Sequence, residues 1–139
     1  MNQAHLIHVC PDFGNQKVYR NLVRQLEKMN FTQQIFVAGK ISETPGRNFD
    51  WKSENTSYHF SPLVKPAHKI FFTSKMRAIF AEFSKSISIR PRSLVHAHYL
   101  FSAGKVALDL KRRAGIPYVV TVRHTDVNYF FRWKPHLRR

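Results

Sequence analysis

At 139 residues, 43% of them hydrophobic and 14% aromatic, the chain has enough apolar surface for one packed domain, which excludes a disordered tail. A formal charge of +15, from 23 Lys and Arg against 8 Asp and Glu, attracts anions and leaves nucleic acid, acidic lipid and phosphorylated substrates open as partners. The single cysteine, Cys10, excludes an internal disulfide, the start Met1-Asn2-Gln3-Ala4-His5-Leu6 is not a charged leader followed by a long apolar region, and no stretch approaches the ~20 apolar residues that span a bilayer.

Residues 4–10 form a short β-prone apolar run that Pro11 ends, and Pro11-Asp12-Phe13-Gly14-Asn15 is turn chemistry. From Lys17, Val18, Leu22, Leu26 and Met29 recur at helical spacing, with Arg20, Arg24, Glu27 and Lys28 on the other faces. Gln34 to Ala38 supplies a second strand. Residues 40–55 are polar, contain Pro45-Gly46 and read as an exposed loop. Ser57 to Phe60 suits a short strand that Ser61-Pro62 and Lys65-Pro66 interrupt. Phe72, Met76, Ile79, Phe80, Phe83 and Ile87 then predict a long amphipathic helix ending by Pro91.

Ser93 to Ala97 reads as a strand, and Ala103 to Ala114 as a helix with Val106, Ala107 and Leu110 inward and Gly115 as its cap. Ile116 to Val122 is a nearly continuous β-branched run, the pattern of a parallel strand buried on both faces. Strands alternating with helices imply right-handed crossovers and an α/β fold: a doubly wound, mainly parallel Rossmann-like sheet with helices on both faces. Ligands of such sheets bind beyond the carboxyl ends of the strands, so the loops after Cys10, Ala97 and Val122 carry the candidate site.

The first of these loops holds Gly14 and Asn15 before a helix amino terminus, where free N–H groups favour an anion; a tight turn is the other reading. In the second, His96 and His98 share one strand face and Tyr99 follows. The pair suits zinc or iron, with His124 or Asp126 as a further ligand, although buried histidines satisfied by hydrogen bonds are commoner, and no metal is expected. The third concentrates Arg123, His124, Thr125, Asp126 and Asn128. Arg123 is the candidate for phosphate or carboxylate, because its planar fork pairs bidentately, while Thr125 or Asp126 could instead cap a helix. The last thirty residues are lopsided, with eight basic residues opposed by Asp126 alone, and the tail from Tyr129 interleaves aromatic with basic side chains as membrane-surface and single-strand nucleic-acid segments do; an interrupted helix whose apolar side packs on residues outside this sequence is the other reading.

The residues Leu94-Val95-His96-Ala97-His98-Tyr99, Gly104, Ala107 and Gly115 through Asp126 resemble the amino-terminal domain of family 4 glycosyltransferases, retaining enzymes of GT-B architecture. The resemblance is good over residues 93–128, looser over 1–39, and says nothing about 40–92. It implies that residues 1–139 are the acceptor-side domain of a two-domain enzyme. A nucleotide-sugar donor would be held by a carboxy-terminal domain absent from this chain, whose Glu27, Glu43, Glu54 and Glu82 do not stand in the donor-site pattern. The domain alone is then inactive, and the full-length enzyme a hexosyltransferase of cell-surface polysaccharide synthesis that needs no cofactor.

By the same resemblance Arg123 or His124 sits by the transferred sugar and supports charge as the leaving phosphate departs. Gly14, Asn15, His98, Tyr99, Thr125, Asp126 and Asn128 contact substrate. The expected partners are a glycan or lipid-linked acceptor, the donor domain and an anionic membrane surface, in the cytoplasm or at the inner face of the membrane. Two other readings of the residues are a metal-dependent hydrolase using His96 and His98, and a basic nucleic-acid-binding module. No helix-turn-helix, finger or single-strand-binding signature supports the last.

Overall fold

All five residues of His5–Val9 (β1) are buried, as an apolar run must be when sheet neighbours flank it and both faces are covered. In the computed structural model, which describes residues 4–133, β1 pairs in parallel with Thr32–Lys40 (β2) on one side and Ser93–Ala97 (β4) on the other. Thr56–Val64 (β3) extends the sheet beyond β2, and Tyr118–Val120 (β5) beyond β4. The order is β3-β2-β1-β4-β5, all parallel, which makes the chain an α/β protein with a Rossmann-like sheet.

Three helices cover the sheet: α1, Lys17–Lys28; α2, Phe72–Ser86; and α3, Ser102–Ala114. Side chains alternate across each strand, so Ile7, Val9, Phe36, Val95 and Ala97 pack under α2 and α3, whereas Ile35 and Val37 join Tyr19 and Val23 of α1 on the other face. The α2 stripe is confirmed, with Met76, Ile79 and Phe83 buried, and Gly115 ends α3 at a φ of 68°, a left-handed position that favours glycine. Among the described residues no helix is long and apolar enough to cross a membrane.

Three expectations are corrected. The buried face of α1 is Tyr19 and Val23; Val18 and Met29 are 55% and 66% exposed, because the helix rolls to put Tyr19 over the sheet. β3 is nine residues long and runs through Pro62. As an edge strand it needs no partner on its outer side, so proline is tolerated, and the pairing register shifts just past it, between Gly39 and Lys40. β5 is only three residues long, and Val119 and Val122 are 46% and 52% exposed rather than buried on both faces. Among the described residues no helix covers that part of the α1 side.

Residues 40–55 form the loop expected, most of it exposed, and part of it folds back on the sheet. A 3-10 turn at Arg47–Asp50 packs on the loop after β1. Asn48 is buried there: its amide N–H donates to Gly14 O at 2.9 Å, and its side-chain amide donates to the carbonyls of Phe13 and Gln16. The two backbones approach so closely that a Cβ on Gly46 would lie 2.3 Å from the Gly14 carbonyl. Gly46→Ala is therefore expected to lower stability by about 1–3 kcal/mol, read as a lower urea midpoint. Thr44→Ala, at an exposed neighbour, should leave the midpoint unchanged; equal midpoints for both would contradict the close packing.

Candidate functional site

The strand order reverses between β1 and β4, so the loops after these strands diverge and leave a crevice at their carboxyl ends. There Tyr19 Oη donates to Tyr99 Oη at 3.1 Å, and Tyr99 Oη donates to an Asp12 carboxylate oxygen. The Tyr99 hydroxyl is pushed up by burial and by these bonds, and stays protonated as a donor. Arg123 closes the group. Its guanidinium carbon lies 4.8 Å from the centroid of the Tyr19 ring and 5.6 Å from that of Tyr99, and its Nε donates to His98 O at 3.3 Å. An arginine held against two tyrosine rings and a backbone carbonyl loses rotamer freedom.

The histidines form a separate, buried unit. Gln33 donates through its Nε2 to Val23 O and Thr56 Oγ1, which turns its carbonyl toward His8. His8 Nε2 therefore carries a proton and donates to Gln33 Oε1 at 3.1 Å, leaving His8 Nδ1 to accept from His98 Nε2 at 3.0 Å. His96 stacks on His98 with ring centroids 3.9 Å apart and bonds Thr121 Oγ1 at 2.8 Å. Burial, with the neighbouring His96, brings His8 down to about 4 against the opposing pull of its bond to Gln33; burial, with His96, His8 and Arg123, lowers His98 further; burial and Arg123 lower His96. All three are neutral near pH 7.

His8, His96 and His98 form a group of possible metal ligands whose nitrogens lie within 4.8 Å of one another. The further ligands expected from sequence, His124 and Asp126, do not join it; His8, from the adjacent strand, takes that position. The near-parallel stacking of His96 on His98 aims their in-plane lone pairs side by side rather than at one point. A shared ion would require ring rotation.

A cavity of about 390 Å³ opens beside the crevice, between the carboxyl ends of β1, β2 and β3, the start of α3 and the loop after β5. Its walls include Asp12, Glu43 and Asp126, three of the chain's eight acidic residues, together with Lys40 and Lys75. Lys75 Nζ donates to Ser102 Oγ at 3.0 Å. Asp126 has no exposed surface. One of its oxygens accepts the Arg123 N–H at 2.9 Å; the other, Oδ1, is buried and finds no hydrogen-bond partner within the protein.

The structure thus brings His98, Tyr99, Arg123, Thr125 and Asp126 to one crevice and cavity. Gly14 and Asn15 line an adjoining recess of about 220 Å³, but their backbone and side-chain contacts go to Gly46, Arg47 and Asn48. His124 and Asn128 are exposed and line neither space. A π-helical turn at Asp126–Phe130 follows Arg123, so Asp126 caps the start of this segment as the alternative reading allowed. The tail beyond Trp133 lies outside the described residues. Sequence reasoning missed Asp12, Tyr19, Lys75 and His8. Asp12 and His8 stood beside the first loop and could have been included; nothing in the sequence pointed to Tyr19 or Lys75, which look like ordinary helix residues.

Compared with known families, residues 14–139 match the model described as Glycosyltransferase Family 4, a span that includes residues 40–92, where the sequence resemblance was silent. No curated protein and no solved structure matches the chain at the significance required.

The histidine unit sets a pH dependence. A histidine held at about 4 in the folded chain, against an ordinary 6.5, leaves stability complete above pH 6.5. As the pH falls toward 4, the unfolded chain gains protons that the folded chain refuses, and His8 alone withdraws about 3 kcal/mol. Urea midpoints are expected to drop between pH 7 and pH 5, with a shallower drop in His8→Gln. A flat profile over that interval in the unsubstituted protein would contradict the neutral, buried assignment.

Proposed function

Because the chain belongs to glycosyltransferase family 4, we propose that it forms the acceptor side of a sugar transferase, holding a glycan or lipid-linked acceptor in the cavity beside Asp126. The observation that carries this reading is the unpartnered Asp126 Oδ1. A buried carboxylate oxygen without a donor is costly, and a small rotation of the Asp126 side chain toward the cavity it lines lets a sugar hydroxyl supply the missing donor. Asp12 and Glu43 add acceptors to the same walls, and the lysines Lys40 and Lys75 take the acceptor's own lone pairs. Acids concentrated in a chain of charge +15 suit a hydroxyl-rich acceptor better than an anionic one.

In this reading Arg123 faces the transferred sugar. Its clamp between Tyr19 and Tyr99 holds the guanidinium where charge grows on the departing phosphate, at no cost of reorganisation during the reaction. His124, the next residue and exposed, is free to orient the sugar. His98 contributes through its backbone carbonyl, which fixes Arg123, while its ring stays in the buried histidine unit. Thr125 and Tyr99 border the acceptor; Gly14 and Asn15 border the adjoining recess. A nucleotide-sugar bound by a separate donor domain supplies the sugar for cell-surface polysaccharide synthesis in the cytoplasm, without a further cofactor.

The substitution Asp126→Asn tests this directly. Asparagine keeps one oxygen to accept the Arg123 N–H and replaces the unpartnered acceptor by a donor, so folding is preserved. Titration with methyl hexosides, followed by amide resonances, is expected to move Tyr99, Ser102 and Thr125, and Asp126→Asn to weaken binding about tenfold. Shifts confined to other residues, or equal affinity in the variant, would overturn the acceptor assignment.

A further inference from the structure

The connection from β3 to α2 has no role in the cavity reading. Its 3-10 turn at Pro66–Lys69 is closed by its own hydrogen bonds: Lys65 N–H donates to His68 Nδ1 at 3.1 Å, and the amides of Ile70 and Phe71 both donate to Ala67 O at 3.1 Å. The turn so fixed presents two adjacent apolar side chains to solvent, Ile70 at 78% and Phe71 at 63% exposure. Phe72, next in the chain, turns inward and packs against the core. Ile41, 53% exposed, stands at the same end of the sheet, its amide bonded to Val64 O at 3.1 Å.

The charges around this point have one sign. Lys65 and Lys69 bracket the turn and Arg77 is exposed on α2, while residues 55–81 contain no Asp or Glu. Of the acids on either side of this stretch, Glu54 precedes β3 and stands at the opposite end of that strand, and Glu82 is engaged by the hydroxyls of Ser61 and Ser86; Glu43, on the loop after β2, accepts the Lys40 amide. A small anion would need the lysines but has no use for Ile70 and Phe71. A single-stranded nucleic acid would use stacking faces, and Ile70 offers none. A second copy of the chain would bring a like-charged collar against this one. An anionic lipid leaflet accepts both features, apolar side chains among its acyl chains and lysines at its phosphates.

We propose that the Pro66–Phe71 segment is a docking wedge for a bilayer surface rich in anionic lipid, with Ile70 and Phe71 inserted below the headgroups and Lys65 and Lys69 on their phosphates. Val64 and Lys75, on either side of the segment, line the cavity, so docking holds the cavity beside the lipid surface. The proposal stands on exposure and charge and does not depend on what the cavity binds.

Co-sedimentation of the full chain with vesicles tests it. At low salt the protein is expected to bind vesicles of phosphatidylcholine mixed with phosphatidylglycerol and to leave pure phosphatidylcholine vesicles unbound. The pair Ile70→Ser and Phe71→Ser should weaken binding at least tenfold without lowering the unfolding midpoint, since both side chains are exposed and serine suits the position before α2. Lys65→Glu with Lys69→Glu should weaken it further and remove much of its salt dependence, at about fivefold for each lysine lost. Met29→Ser, equally exposed but beyond the far end of α1, should change nothing. Failure to bind the mixed vesicles, equal binding by the Ile70/Phe71 variant, or release of the protein from vesicles by a single-stranded oligonucleotide that contacts the same residues would each overturn it. Asp126→Asn should leave vesicle binding where it was, so a failed wedge and a failed acceptor site are separately visible.

Discussion

A line of hydrogen bonds runs beneath α1 from the Val23 carbonyl through the Gln33 amide and the His8 ring to the His98 ring, crossing from a helix through β2 and β1 to the loop after β4. Each member satisfies a polar group that would otherwise be buried alone, and each fixes the orientation of the next. Gln33 cannot flip, because its Nε2 is committed to Val23 and Thr56; His8 therefore has one tautomer, and His98 has the complementary one. The backbone at His98 is held in addition by its own amide on Val9 O. Arg123 bonds the His98 carbonyl, and the two tyrosines hold the guanidinium. Placement of the cation at the crevice thus rests on uncharged, buried groups several residues away from it.

The arrangement separates two kinds of electrostatics in one small domain. Cations are spread over the exterior, where water screens them and where partners of opposite charge meet them. The acids are few and several are gathered at the carboxyl ends of the strands, with Asp12 tied to Tyr99 and Asp126 tied to the Arg123 amide. A cavity with this lining favours hydrogen-bond donors inside a protein whose outer field favours anions. The acids of the cavity meet at one end of the sheet because a parallel sheet sends every strand's carboxyl end, and the loop after it, to one edge.

The amino-acid sequence by itself determined the α/β alternation, the α2 stripe, the αL cap at Gly115 and the three loops that meet at the crevice. These are local properties: periodicity, glycine and β-branched runs act within a few residues. It also carried the family, through His96 to Tyr99 and Gly115 to Asp126. Only the tertiary structure decided which face of α1 is buried, that Pro62 lies within an edge strand, and that Val119 stays open to water, because each depends on which element lies next to it. The same holds for the site. Arg123 and Asp126 stood out in the sequence as charged residues after a strand, but the Tyr19–Tyr99 clamp, the partnership of His8 with His98 across 90 positions, and the contact of Gly14 with Gly46 join residues that no local pattern connects. Strand order creates those contacts, and strand order is a property of the whole sheet.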